Sequence, residues 1–102
     1  GGEERSVPLS EGNARLVNYM EDAVKSILEE MLKEDAYQGV AQDEKVRMDV
    51  MAYALNRLPP KYVATQRGHI YTRVQELRQQ FRTDIIVELT KALQRVLANP
   101  HR

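Results

Sequence analysis

The chain has 102 residues, with 15 Lys plus Arg against 15 Asp plus Glu, and no cysteine. That length supports one domain, and the zero net charge gives no reason to expect general adhesion to DNA or an anionic membrane. The missing cysteines exclude disulfides, thiol nucleophiles, thiolate zinc sites and iron–sulfur clusters. The two histidines, His69 and His101, lie far apart, so a His-rich metal site is not expected. The zero hides an asymmetry: residues 1–51 carry 12 acidic and 6 basic side chains, a net −6, and residues 52–102 carry 3 acidic and 9 basic, a net +6. Such a chain can fold its halves against each other, meet a second copy, or keep a local basic site for an anion.

Residues 1–12 read as a loose N-terminal arm, with Gly1-Gly2 a cloning remnant and only Val7 and Leu9 apolar in the run that follows. No apolar run suits a signal peptide or approaches the ~20 residues of a membrane span, so a cytoplasmic location is expected. A single domain is expected over residues 13–98, followed by a frayed tail at 99–102. The first helix is predicted to start after Asn13, a good N-cap residue. Leu16, Val17, Met20, Val24, Ile27, Leu28 and Met31 recur at three- and four-residue steps and form one apolar stripe. A break covers 35–42. Asp43 is a candidate cap for a second helix, whose stripe is Val46, Val50, Met51, Ala54, Leu55 and Leu58. Pro59-Pro60 ends it, because proline disfavours helix in the residue before it and has no N–H to donate. An extended segment is expected at 61–66, with Tyr62 and Val63 as strand residues.

From Ile70 the helical period resumes through Val74, Leu77, Phe81, Ile85, Leu89, Leu93 and Val96, with no Gly or Pro before Pro100. Unbroken, this helix would run about 45 Å, against a radius of gyration near 13 Å for a compact domain of about 100 residues. It must therefore kink, with Gln79–Thr83 the expected place, or pack its far end on another chain. The expected class is all-α, a small helical domain with a long C-terminal helical region, and the long helix favours a homodimer.

The segment most suited to binding is the exit of the second helix. Asn56, Arg57, Lys61 and Tyr62 cluster around the rigid double proline, and Thr65, Arg67 and Gly68 follow within a short loop. The prolines remove backbone freedom, so neighbouring side chains need little ordering on binding. Asn matches a nucleobase edge in carrying both donor and acceptor. Arg forks onto phosphate or guanine or lies flat on a base, and Tyr62 offers a stacking face. The same residues have structural readings. Asn56 would cap the helix, Arg57 would pair with Asp49 or Glu44, and Tyr62 would be core. No nucleophile with a base, paired-carboxylate motif or Gly-rich phosphate loop is present, so no enzymatic activity is expected.

The sequence resembles the ComFB family, named for late competence development. The matching residues are Asn18-Tyr19-Met20-Glu21 with Val24, then Arg47-Met48-Asp49-Val50. The most specific match is Ala52-Tyr53-Ala54-Leu55-Asn56-Arg57-Leu58-Pro59-Pro60-Lys61-Tyr62-Val63. Gly68 through Tyr71, Gln80-Phe81 to Asp84-Ile85 and Leu89-Thr90-Lys91-Ala92 complete it. The resemblance implies a mostly helical, dimeric bacterial protein that serves as a receptor for cyclic di-GMP or cyclic di-AMP. Under it, Arg57 would contact phosphate or base, Asn56 would shape the pocket and Tyr62 would stack. Lys61, Arg67, Arg47 and Asp49 would stand nearby, and Asn18 and Glu21 would approach from the first helix.

Some relatives carry a cysteine cluster just before the helix matching residues 47–58, which looks like a zinc site. Residues 37–45 here contain no cysteine, so zinc is not expected and packing must replace it. The expected partners are the cyclic dinucleotide, a second copy and an unidentified downstream protein. Membrane and nucleic acid are not expected. Two other readings stand beside the receptor. One is a dimeric adaptor without a small ligand. The other is direct DNA contact through Arg73, Arg78, Arg82, Lys91 and Arg95, residues that equally suit a solvated helix face.

Overall fold

The computed structural model describes residues 14–66 and 71–98. They form β1 (Ala14–Asn18), α1 (Tyr19–Met31), a 3-10 turn (Asp35–Tyr37), α2 (Gln38–Ala41), α3 (Glu44–Leu55), β2 (Tyr62–Gln66), α4 (Tyr71–Gln80) and α5 (Arg82–Ala98). The architecture is mainly helical, with one short antiparallel ladder between β1 and β2. The expected arm at 1–12, the Asn13 cap, Arg67, Ile70 and the tail at 99–102 lie outside the described residues.

The start of the first helix differs from the expectation. Residues 14–18 are a strand, and α1 begins at Tyr19 with Asn18 as its N-cap. The register sets Val17 opposite Val63, Leu16 opposite Ala64 and Asn18 opposite Tyr62. Side chains alternate faces along a strand, so Val17 and Val63 share the face that packs against the core. Leu16, two places from Asn18 on the other face, is 75% exposed. Its fit to the helical stripe is therefore coincidental. From Tyr19 onward the stripe holds: Met20, Ala23, Val24, Ile27 and Leu28 are buried. Glu21 and Asp22 sit in the first turn, where carboxylates oppose the positive end of the helix dipole.

Asp43 caps α3 as expected, its Oδ1 accepting from the Val46 N–H at 3.2 Å. Val50 and Ala54 face the core, and Leu58, buried just beyond the helix, anchors the chain before the prolines. The chain then returns to the head of α1. The Asn18 Oδ1 accepts two main-chain N–H groups, from Met20 at 3.1 Å and from Lys61 at 2.8 Å. The Tyr19 N–H in turn donates to the Lys61 carbonyl at 2.9 Å. Both backbone groups of Lys61 are thus held by the start of a helix 43 residues away in sequence.

The long C-terminal stripe is broken at Phe81, inside the interval where a kink is expected. α4 packs along α1, and α5 packs along α3 and the far side of α1. Val74, Leu77, Ile85, Leu89 and Leu93 are buried in the single core that this path closes. Glu30, near the end of α1, receives Arg78 of α4 on one carboxylate oxygen and Arg82 of α5 on the other, the second at 3.4 Å. One carboxylate therefore spans the break. The break is a local interruption: the Phe81 N–H still bonds the Leu77 carbonyl and the Ile85 N–H the Phe81 carbonyl, both at 2.9 Å, and the molecule extends 53 Å along its longest axis.

The double acceptor role of Asn18 has a measurable cost of removal. Asn18→Ala deletes an N-cap, typically about 1 kcal/mol, and strands the half-buried Lys61 N–H. The combined loss should be about 1–3 kcal/mol, read as a lowered midpoint in chemical denaturation. Asn18→Asp keeps the acceptor and should recover most of it. A midpoint unchanged in Asn18→Ala would show that the ladder alone holds the exit.

Candidate functional site

The exit of α3 is built by three constraints in succession. The Asn56 N–H closes the last turn on the Ala52 carbonyl at 3.0 Å, and the Arg57 N–H bonds the Ala54 carbonyl at 3.0 Å. Asn56 is thus the C-cap residue, with its side chain exposed. Pro59-Pro60 then fixes the direction of the chain. Lys61 is pinned as described, and its ammonium lies 5.0 Å from the centre of the Phe81 ring, at the break between α4 and α5. The exit is therefore tied to the head of α1 and to the break between α4 and α5 at once.

Arg57 does not pair with Asp49 or Glu44. Its guanidinium lies over the Tyr53 ring, 3.7 Å from the centroid, and its Nη1 donates to the Tyr53 carbonyl at 3.0 Å. The reason is spacing. Residues four apart are neighbours on a helix surface, and Tyr53 is four before Arg57. Asp49, two turns away, takes Lys45 instead, at 2.9 Å. A guanidinium parked flat on a ring is already ordered, and most of its remaining donors are available to a ligand. Arg95 of α5 also reaches Tyr53, 5.3 Å from its centroid. Below these side chains lies an open cleft of about 460 Å³ lined by Tyr53, Lys91, Gln94, Arg95 and Ala98.

The expected site residues are therefore partly gathered. Asn18, Lys61 and Tyr62 meet at the end of the ladder, and Asn56 and Arg57 stand at the end of α3. Only Leu58, Pro59 and Pro60 separate the two groups, so Arg57 and Lys61 lie within about 14 Å along the chain. Tyr62 is not core: it is 59% exposed. Glu21 is exposed in the first turn of α1, close in sequence to Asn18. Arg47 and Asp49 stand apart. Arg47 is ten residues before Arg57, about 15 Å along α3, and its guanidinium donates to the Ala41 carbonyl. It lines a different groove of about 240 Å³ between α1 and α3, with Lys25, Leu28, Glu44, Met48 and Met51 on its walls.

Read from sequence alone, Tyr53 and Gln94 have no site role, and Lys91 and Arg95 stand only in a run of possible DNA contacts. Tyr53 had a local signal, the i, i+4 spacing to Arg57. The three α5 residues had none, because only the packing of α5 along α3 brings them to the same place. Among the described residues no group of three His, Cys, Asp or Glu side chains could hold a metal ion. No described helix is long and apolar enough to cross a membrane.

No curated protein and no solved structure matched the chain. One family model matches residues 17–100, a span that opens on the ladder, contains the whole α3 exit and ends just beyond α5. Its description is late competence development protein, and on that match the chain belongs to the ComFB family.

Proposed function

We propose that this protein is a non-enzymatic cytoplasmic receptor for a cyclic dinucleotide, cyclic di-GMP or cyclic di-AMP, acting as a homodimer and passing the signal to a protein partner. The observation that carries the reading is the exposed Tyr62 ring on a stem that cannot move freely. It stands next to the pinned Lys61 and a few residues from the parked Arg57. An exposed planar side chain in a short segment that also carries two cations suits a ligand that combines flat bases with phosphate charge. Rigid presentation lowers the ordering cost of binding. Membership of the ComFB family supports the same reading through the resemblance set out above.

The ligand's symmetry adds a physical reason for the dimer. A cyclic dinucleotide is a roughly two-fold symmetric dianion, and a two-fold dimer presents each contact residue twice. Arg57 and Lys61 would meet the phosphates, and Asn56 would meet a base edge. Exposed Leu16 and Met48 favour protein contact as well, which is the basis of the alternative reading as a dimeric adaptor without a small ligand.

Calorimetric titration with cyclic di-GMP and cyclic di-AMP should give saturable heat with at least one of them, with GTP and a linear dinucleotide as controls. Absence of heat and of any thermal shift with both would overturn the receptor reading and leave the adaptor. Light scattering should give twice the monomer mass. A concentration-independent mass near 11.8 kDa would contradict the homodimer.

A further inference from the structure

The cleft under Tyr53 lies on the side of α3 that faces α5, and its walls have an unusual chemistry for this chain. Overall charge is zero, yet two cationic side chains, Lys91 and Arg95, line the cleft beside Tyr53, and a third, Arg57, lies over the same ring without lining the cleft. The Glu88 carboxylate lies 3.7 Å from the Lys91 ammonium. That contact is an i, i+3 pair in which Lys91 is more than half exposed and Glu88 is only 18% exposed, and the ammonium has further donors to turn to an anion in the cleft. Gln94 adds a neutral amide with both donor and acceptor between the cations. An aromatic face, an amide edge and a set of cations together match a base and a phosphate rather than an apolar or acidic peptide ligand.

We propose that this cleft is a nucleotide subsite, taking one purine base on the Tyr53–Arg57 stack and the adjoining phosphate on Lys91 and Arg95, with Gln94 at the base edge. The subsite rests on the receptor reading and extends it. Tyr62 then becomes a second stacking station, and Arg57 the shared cation between them. The guanidinium serves without rearrangement. It already lies 3.7 Å from the centre of the Tyr53 ring, so the ring is held in place before a base stacks on it from the cleft. The helix dipole sets where the phosphate sits. The C-terminal end of α5 is unfavourable to anions, and Lys91 stands seven residues before Ala98, about 10 Å back along the axis. The phosphate therefore sits nearer Lys91 than Arg95, which stands in the last turn of α5.

Lys91 and Gln94 are exposed on α5, so Lys91→Gln and Gln94→Ala should fold as the parent does. In titrations with cyclic di-GMP and cyclic di-AMP, Lys91→Gln should weaken the binding dinucleotide about tenfold, as expected for one charge-assisted contact. Tyr53→Leu should weaken it by at least about fivefold, the low end for a lost base stack, and Tyr53→Phe should stay within about twofold of the parent. Lys33→Gln, an exposed charge beyond the end of α1, should change nothing. Saturable parent binding that Lys91→Gln, Gln94→Ala and Tyr53→Leu all leave intact would overturn the subsite while the receptor reading stands. An equal loss in Lys33→Gln would also overturn it, by showing diffuse charge attraction. No binding by the parent would overturn both.

Discussion

The fold turns on one side-chain oxygen. The Asn18 Oδ1 accepts from the Met20 N–H, which starts α1, and from the Lys61 N–H, which follows the double proline. A carboxamide oxygen has two lone pairs and can satisfy both donors. An alanine would satisfy neither. Because Lys61 is gripped on its carbonyl side as well, the exit of α3 has few ways to move relative to α1. The ladder between β1 and β2 extends that grip by five residue pairs. A two-stranded ladder is marginal by itself, and here Val17 and Val63 pack it against the core. The same asparagine thus caps a helix, sets a strand register and orients the segment that carries the candidate site. Its contribution to any ligand would come through position.

The second constraint is the turn at Phe81. A helix from 71 to 98 without interruption would extend about 42 Å. The break lets α4 bury Val74 and Leu77 on one side and α5 bury Ile85, Leu89 and Leu93 on the other. Glu30 bridges Arg78 and Arg82 across it, and Lys61 covers the Phe81 ring. These contacts are partly exposed and individually modest. Their significance is geometric: the break meets the exit of α3, so the placement of α5 and the placement of the exit are coupled. The Tyr53 cleft exists because of that coupling, since one of its walls belongs to α3 and the other to α5.

Much of this was legible from residue patterns, and the exceptions have physical causes. The cap at Asp43, the stop at Pro59-Pro60, the stripe through Leu93 and the interval containing the break all follow from local chemistry. β1 does not. Leu16 and Val17 satisfy a four-residue step to Met20 as well as an alternation, and the partner strand that decides between them lies more than 40 residues away. The Asn18-Tyr19-Met20-Glu21 order is a helix-start signature of the capping-box kind, and it marks the boundary that the apolar spacing obscures. At the site, Arg57 was recognisable and its stacking partner was not given weight. Pairing it with a carboxylate neglects that a cation four residues after a tyrosine is already adjacent to the ring. Lys91, Gln94 and Arg95 looked like a solvated helix face because nothing within α5 tells which of its polar residues adjoin α3.

The central claim is that the pinned exit of α3 and the adjoining cleft are where this ComFB protein meets its ligand. The most direct measurement is amide chemical-shift mapping of the uniformly 15N-labelled protein at saturating cyclic dinucleotide. The account expects the perturbed amides to concentrate at 53–62 and 91–98, with Lys61 and Tyr62 among the largest shifts. Perturbations centred on the groove between α1 and α3, around Arg47, Met48 and Met51, would contradict it, as would a spectrum that does not change.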